Sequence, residues 1–214
     1  MKTNRLFITG DSWTKWYRPH HHWVRYLKNH YEVFNYGKAG LNNNEIIHTL
    51  HNLPPYKSGD RLVIFFTHCS RVPLSYYGDF ESGTIDRPLS RSHFKNKELF
   101  KTMEEIRDQE TERWVMGERS NEVKYIKYLK DTLYKQYDPI FLTWSEVTSE
   151  PLKGYMDYME VSTNYEEGLV IKNSNEIDLH PGPRGCYDIY KHLYNKLSIT
   201  DSIIDFKEEP KTII

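Results

Sequence analysis

Arg5-Leu6-Phe7-Ile8-Thr9-Gly10-Asp11-Ser12-Trp13 is a short apolar strand that stops at a glycine and then presents an acid and a serine. The run Arg5-Leu6-Phe7-Ile8 has the length and composition of a strand, and Gly10 ends it. A Gly-Asp-Ser at that point sets a hydroxyl on the loop at the strand's C-terminal edge, where open α/β sheets hold their ligands. Gly-Asp is also a common turn dipeptide. Ser12 therefore gains meaning only if a base, an orienting acid and oxyanion donors follow downstream.

Moving outward, a polar and aromatic loop leads to Pro19, suited to a first helical turn, and to Trp23, Val24 and Leu27 at helical spacing. His20, His21 and His22 are consecutive at that helix start, so they point around it instead of converging and make no metal site by themselves. Tyr31-Glu32-Val33-Phe34-Asn35-Tyr36 reads as the second strand, followed by Gly37-Lys38-Ala39-Gly40 and by Asn42-Asn43-Asn44, which can cap a helix running to about Leu50. Arg61-Leu62-Val63-Ile64-Phe65-Phe66-Thr67 is the most apolar run of the chain. Being apolar on both faces, it belongs in the centre of a sheet covered by helices on both sides. The order βαβαβ predicts a parallel, doubly wound sheet.

Beyond Arg71 the pattern loosens to about Arg119, a long insertion around 72–119 that is either functional or mobile. Within it, Lys97 to about Trp114 reads as a polar surface helix. Asn121 to Tyr137 reads as a packing helix with Val123, Ile126, Leu129 and Leu133 in one apolar stripe. Ile140-Phe141-Leu142-Thr143-Trp144 is the fourth strand, and Glu167-Gly168-Leu169-Val170-Ile171 is a candidate short strand. A last helix carries Ile189, Leu193 and Leu197 on one face, and the tail from about Thr200 is either an extra edge strand or a partner-contacting arm.

The 214 residues fit one domain spanning 1–214. The 29 basic and 30 acidic residues leave a net charge of −1, so no basic field points to nucleic acid. No apolar run is long enough to span a membrane and no secretory leader pattern opens the chain, so the expectation is a cytoplasmic protein without a membrane partner. Cys69 and Cys186 are too few for a disulfide framework and are expected as reduced thiols. Aromatic residues make up 14% of the chain, and Trp13, Trp16, Tyr17 and Trp23 gather near Ser12. Such rings suit sugar or acyl recognition and equally suit half-buried packing.

Three glycine- or proline-marked loops thus hold Ser12, Gly40 and the pair Asp178/His180 in Asp178-Leu179-His180-Pro181. Together with Asn35-Tyr36-Gly37-Lys38-Ala39-Gly40 and Gly185, these blocks resemble the SGNH hydrolases, also called the GDSL esterase/lipase family, in order and across nearly the whole chain. The resemblance implies a three-layer α/β/α sandwich on a mostly parallel five-stranded sheet, flavodoxin-like in kind. It implies Ser12 as nucleophile, His180 as general base, Asp178 as the carboxylate that orients it (Glu176 being a lesser candidate), and the backbone of Ser12 and Gly40 as oxyanion donors. Such chemistry needs an imidazole to take the serine proton and a carboxylate to hold the imidazole tautomer. No metal or organic cofactor is expected.

One block departs from the pattern. Where the family carries Gly-x-Asn-Asp after the third strand, this chain has Thr67-His68-Cys69-Ser70-Arg71. His68, Ser70 or Arg71 then has to stand in for the asparagine donor. The expected function is a serine ester hydrolase acting on a small-molecule or carbohydrate ester, with an O-acetylated sugar preferred. The alternative is a non-catalytic binding or structural protein that keeps the sandwich. A flavodoxin-type cofactor binder is disfavoured, because no phosphate-cradling glycine motif follows the first strand.

Overall fold

Alternation along the apolar runs decides the layers. The computed structural model describes residues 4–15, 22–71, 97–163, 166–167 and 180–206. In strand β1 (Arg5–Gly10), Leu6 and Ile8 enter one core and Phe7 the other. In β3 (Arg61–Phe66), Val63 and Phe65 join the first core while Leu62, Ile64 and Phe66 join the second; in β4 (Ile140–Thr143) Ile140 and Leu142 oppose Phe141 in the same way. Successive strand side chains point to opposite faces, so strands apolar at every position must be covered on both.

The covering helices come from the crossovers. The first face receives Trp23, Val24 and Leu27 of α1 (Trp23–Leu27) and Ile189, Tyr190 and Leu193 of α6 (Pro183–Lys196). The second receives Ile46 and Ile47 of α2 (Asn43–Thr49), Trp114 of α3 (Lys97–Val115) and Ile126 of α4 (Ser120–Tyr128). Each fully buried Leu, Ile or Phe is worth roughly 1.5–3 kcal/mol relative to exposure, so the three central strands, buried on both faces, contribute a large share of the stabilising burial.

β2 (Glu32–Asn35) and β5 (Asp157–Tyr158) complete a five-stranded sheet of order β2-β1-β3-β4-β5. Every pair is parallel, with Phe7 opposite both Phe34 and Leu62 and Val63 opposite Ile140. This is the three-layer α/β arrangement expected from the sequence, in flavodoxin-like order. The chain leaves β1 toward β2 on one side and returns to β3 on the other, so the loops after β1 and β3 part and leave a crevice at the carboxyl edge.

Local chemistry explains where several elements start and stop. Asn42 and Glu45 form a reciprocal capping box at the start of α2, as the asparagine run leads one to expect. The first helix starts at Trp23 with extended His22 as its N-cap, later than a Pro19 start; Pro19, His20 and His21 lie outside the described residues. The expected helix over Asn121–Tyr137 is interrupted. After α4 the chain widens into a π turn over Leu129–Leu133, closed by the Tyr134 N–H donating to the Leu129 carbonyl at 2.9 Å, and a short 3-10 turn follows. The widening keeps Leu129 in the core and turns Leu133 outward, 44% exposed, so Leu133 is not part of the buried stripe.

Two further expectations change. The fifth strand is Asp157–Tyr158, whereas Glu167 sits in a turn and residues 168–171 lie outside the described residues. Over 200–206 the tail forms no strand; the Ile204 N–H donates to the Tyr190 hydroxyl at 3.1 Å and the Phe206 ring packs on Tyr187. The segment 72–96 lies outside the described residues.

Candidate active site

Ser12 sits on a turn that only glycine can enter. A Cβ on Gly10 would stand 2.7 Å from the carbonyl oxygen of Phe65 and 2.6 Å from Cγ2 of Thr14, so the chain bends directly against β3. The Asp11 carbonyl accepts from the Thr14 and Lys15 N–H groups at 3.1 and 3.2 Å, and the Asp11 carboxylate accepts from the Trp13 N–H at 2.9 Å. Trp13 is anchored in turn: its carbonyl accepts from Trp23 Nε1 at 2.9 Å and from His22 Nε2 at 3.1 Å. Burial holds the His22 ring down to about 4, so it is neutral, with Nδ1 accepting from the Val24 N–H and Nε2 carrying the proton.

The loop after β2 is stitched to this turn. Asn35 donates from Nδ2 to the Thr14 carbonyl at 2.7 Å and accepts the Gly37 N–H at 2.9 Å; the Lys38 N–H donates to the Gly10 carbonyl at 3.1 Å. A Cβ on Gly37 would fall 1.9 Å from Thr14 Oγ1, so the glycine is what lets the two loops touch. Gly40 follows with φ of +78°, a left-handed turn.

The loop after β3 carries the departing block. His68 Nδ1 accepts from the Ser70 N–H at 3.2 Å and lies 2.7 Å from Ser70 Oγ, so the proton of the neutral ring is on Nε2. Burial, with the Arg71 and Arg107 charges adding to it, lowers His68 to about 4. Ser70 is fully buried. Burial pushes the neighbouring Cys69 thiol up, which leaves it a thiol and disfavours it as a nucleophile. Arg71 turns the other way: its Nη1 donates to Asp11 Oδ2 at 3.1 Å and to the Leu41 carbonyl at 3.0 Å, with its guanidinium 5.8 Å from the Trp144 ring. Trp144 Nε1 donates to the same Asp11 oxygen at 2.9 Å.

These loops surround a cleft of about 250 Å³ at the carboxyl edge of the sheet. Ser12, Arg71 and His180 line it together with Trp13, Trp144 and the segment Tyr158, Met159, Glu160, Val161 and Thr163. The rings of Trp13 and Trp144 stack 6.0 Å apart. A hydroxyl, an imidazole and a guanidinium from three distant parts of the chain thus share one concave, aromatic-walled space. Gly40, His68 and Ser70 lie on the loops after β2 and β3 without lining it, and Asp178 and Glu176 lie outside the described residues. Trp144, the segment from Tyr158 to Thr163 and the binding role of Asp11 are site features the sequence did not signal, because neither periodicity nor a motif marks them. Among the described residues no group of His, Cys, Asp or Glu could hold a metal ion, and no helix is long and apolar enough to cross a membrane.

Sheet order, switch point and cleft define a doubly wound α/β protein with a crevice at its carboxyl edge. No family model and no curated protein matches the chain. Among solved structures it is similar to a member of the lipolytic protein G-D-S-L family from Veillonella parvula DSM 2008, with a TM-score of 0.40 and 12% identity over 92% of this chain and 98% of that one.

Proposed function

We propose that the cleft is the site of a serine ester hydrolase. The observation that carries this reading is the convergence of Ser12 and His180 on one cleft that Arg71 also lines. In the reaction, His180 takes the Ser12 proton as Oγ attacks the ester carbonyl, and the oxygen of the tetrahedral intermediate gains negative charge. Collapse expels the alcohol with the proton returned by His180, leaving an acyl group on Ser12. Water, deprotonated by the same imidazole, then releases the acid. In this reading Asp178 orients the imidazole and the amide of Ser12 receives the oxyanion; the Gly40 amide, whose loop does not line the cleft, is the weaker candidate donor.

Of the three residues able to replace the missing asparagine, Arg71 is the one that lines the cleft, while His68 and Ser70 bond to each other behind it. Losing one oxyanion donor costs about 3–4 kcal/mol in comparable sites, so a charged donor there is a substantial substitute. The faces of Trp13, Trp144 and Tyr158 favour a flat, partly apolar substrate, and an O-acetylated carbohydrate fits that chemistry.

The test is hydrolysis of p-nitrophenyl acetate together with labelling by a fluorophosphonate probe, in the wild type and in Ser12→Ala. Turnover and labelling confined to the wild type are expected. A folded wild type that neither hydrolyses nor labels would instead support the non-catalytic binding protein.

A further inference from the structure

α6 begins three residues after His180, and its N-terminus is capped from outside the helix. The N-cap position is Gly182, which has no side chain to offer the first free N–H groups. Glu167 supplies the missing acceptor. Its Oε1 accepts from the Arg184 and Gly185 N–H groups, each at 3.1 Å, and from Ser162 Oγ at 2.6 Å, while Oε2 lies 3.1 Å from the Arg184 nitrogen. A Cβ on Gly182 would stand 2.3 Å from Glu167 Oε1, so the carboxylate fills the space an ordinary capping side chain would use.

The same contacts tie the His180 segment to another part of the cleft wall. The Gly182 N–H donates to the Ser162 carbonyl at 3.0 Å, and Thr163 pairs with Pro181 in an antiparallel bridge. Gly185 lets that carbonyl approach, since a Cβ there would lie 2.0 Å from the Ser162 oxygen. The turn that presents Glu167 is closed on itself, with the Glu167 N–H donating to the Thr163 carbonyl at 3.0 Å and Glu166 accepting the Thr163 N–H at 2.8 Å. Val161 and Thr163 line the cleft from one side of this clasp and His180 from the other.

We infer that Glu167 is the positioning residue for His180, its carboxylate fixing the start of α6 and thereby the imidazole against the wall that carries Val161 and Thr163. The inference rests on His180 being the base of the proposed hydrolase. Misplacing a reacting group by about 1 Å is enough to cost on the order of a hundredfold in rate, so a residue that never touches substrate can govern turnover in this way.

The test compares wild type, Glu167→Ala and Glu167→Gln by steady-state kinetics on p-nitrophenyl acetate and by ¹H–¹⁵N NMR of the histidine rings. Glu167→Ala is expected to lower kcat by about ten- to a hundredfold with KM within about twofold, and to shift the His180 ring signals while leaving those of His48, on α2 across the sheet, in place. Glu167→Gln keeps an acceptor oxygen and is expected to recover most of kcat. Gly182 has φ of −70°, which alanine tolerates. Gly182→Ala should therefore reproduce the loss in the wild type by displacing the carboxylate, and add little in the Glu167→Ala background. A folded Glu167→Ala protein with unchanged kcat and unchanged His180 signals overturns the inference. An inert wild type counts against the hydrolase reading alone, and the ring signals then decide the positioning role.

Discussion

Arg71 Nη1 stands 3.1 Å from Asp11 Oδ2, and both side chains are buried, 4% and 0% exposed. Through this pair and the Trp144 indole, one carboxylate joins the loops that leave β1, β3 and β4, and the Leu41 carbonyl brings in the loop after β2. The acid of Gly-Asp-Ser is therefore the structural hub of the cleft, and Arg71 is its counter-ion.

Removing one member of that pair strands the other. Arg71→Met is expected to destabilise the protein by about 3–5 kcal/mol, because the buried Asp11 carboxyl loses its counter-ion and keeps the Trp13 and Trp144 donors. Adding Asp11→Asn should recover a large part of the loss. Urea unfolding of the two single variants and the double variant measures the coupling; simple additivity would show that the pair does not act as a unit.

Two imidazoles, the buried His22 and the half-buried His68, make stability depend on acid. His22 and His68 are each lowered from 6.5 to about 4, chiefly by burial, so the fold holds them neutral while the unfolded chain takes up protons. Their contribution is complete above pH 6.5 and is lost progressively as the pH falls toward about 4. The slope in that window is at most about 1.4 kcal/mol per pH unit for each ring. His68→Asn keeps an acceptor for the Ser70 N–H and is expected to flatten the curve. Unfolding free energies at closely spaced pH values check this, and an equally steep profile in the variant would refute it.

A second acid response lies at the outer edge of the sheet. The His192 and Lys196 side chains of α6 each lie 3.0 Å from Asp157 Oδ2, and the bond from His192, with Lys196 next, takes the Asp157 carboxyl down from 3.8 to about 2. The stabilisation is present above the ordinary carboxylate range and disappears as the pH falls toward about 2. In thermal melts the deficit of Asp157→Asn relative to wild type should be largest near neutrality and shrink over that window. A deficit that stays constant with pH would mean the ion pairs contribute nothing.

The fold was legible wherever burial imposed a pattern. Strands apolar at every position, such as Leu62 to Phe66, announce a covered parallel sheet, and Asn42 with Glu45 announces a helix start. β5 was not legible, because two residues carry no periodicity. Nor was the break after Tyr128, where the choice between continuing the stripe and widening it turns on the core that Leu129 meets. Ser12 and His180, singled out in the sequence, both line the cleft, whereas Gly40 lies on the loop after β2 without lining it. The ties that hold the site were not legible: Asp11 to Trp144 and Glu167 to Gly185 join residues far apart in sequence through ordinary side chains.

The brevity of β5 has a consequence for how such a chain can change. The wall from Tyr158 to Thr163 hangs from a strand only two residues long, outside the three central strands that are buried on both faces. Substitutions at the exposed Tyr158 can recast the shape of the cleft at little cost to folding, whereas those at the buried Met159, in β1 or in β3 cannot. The shape of the cleft and the stability of the fold thus rest in large part on different residues, so one can change while the other is kept.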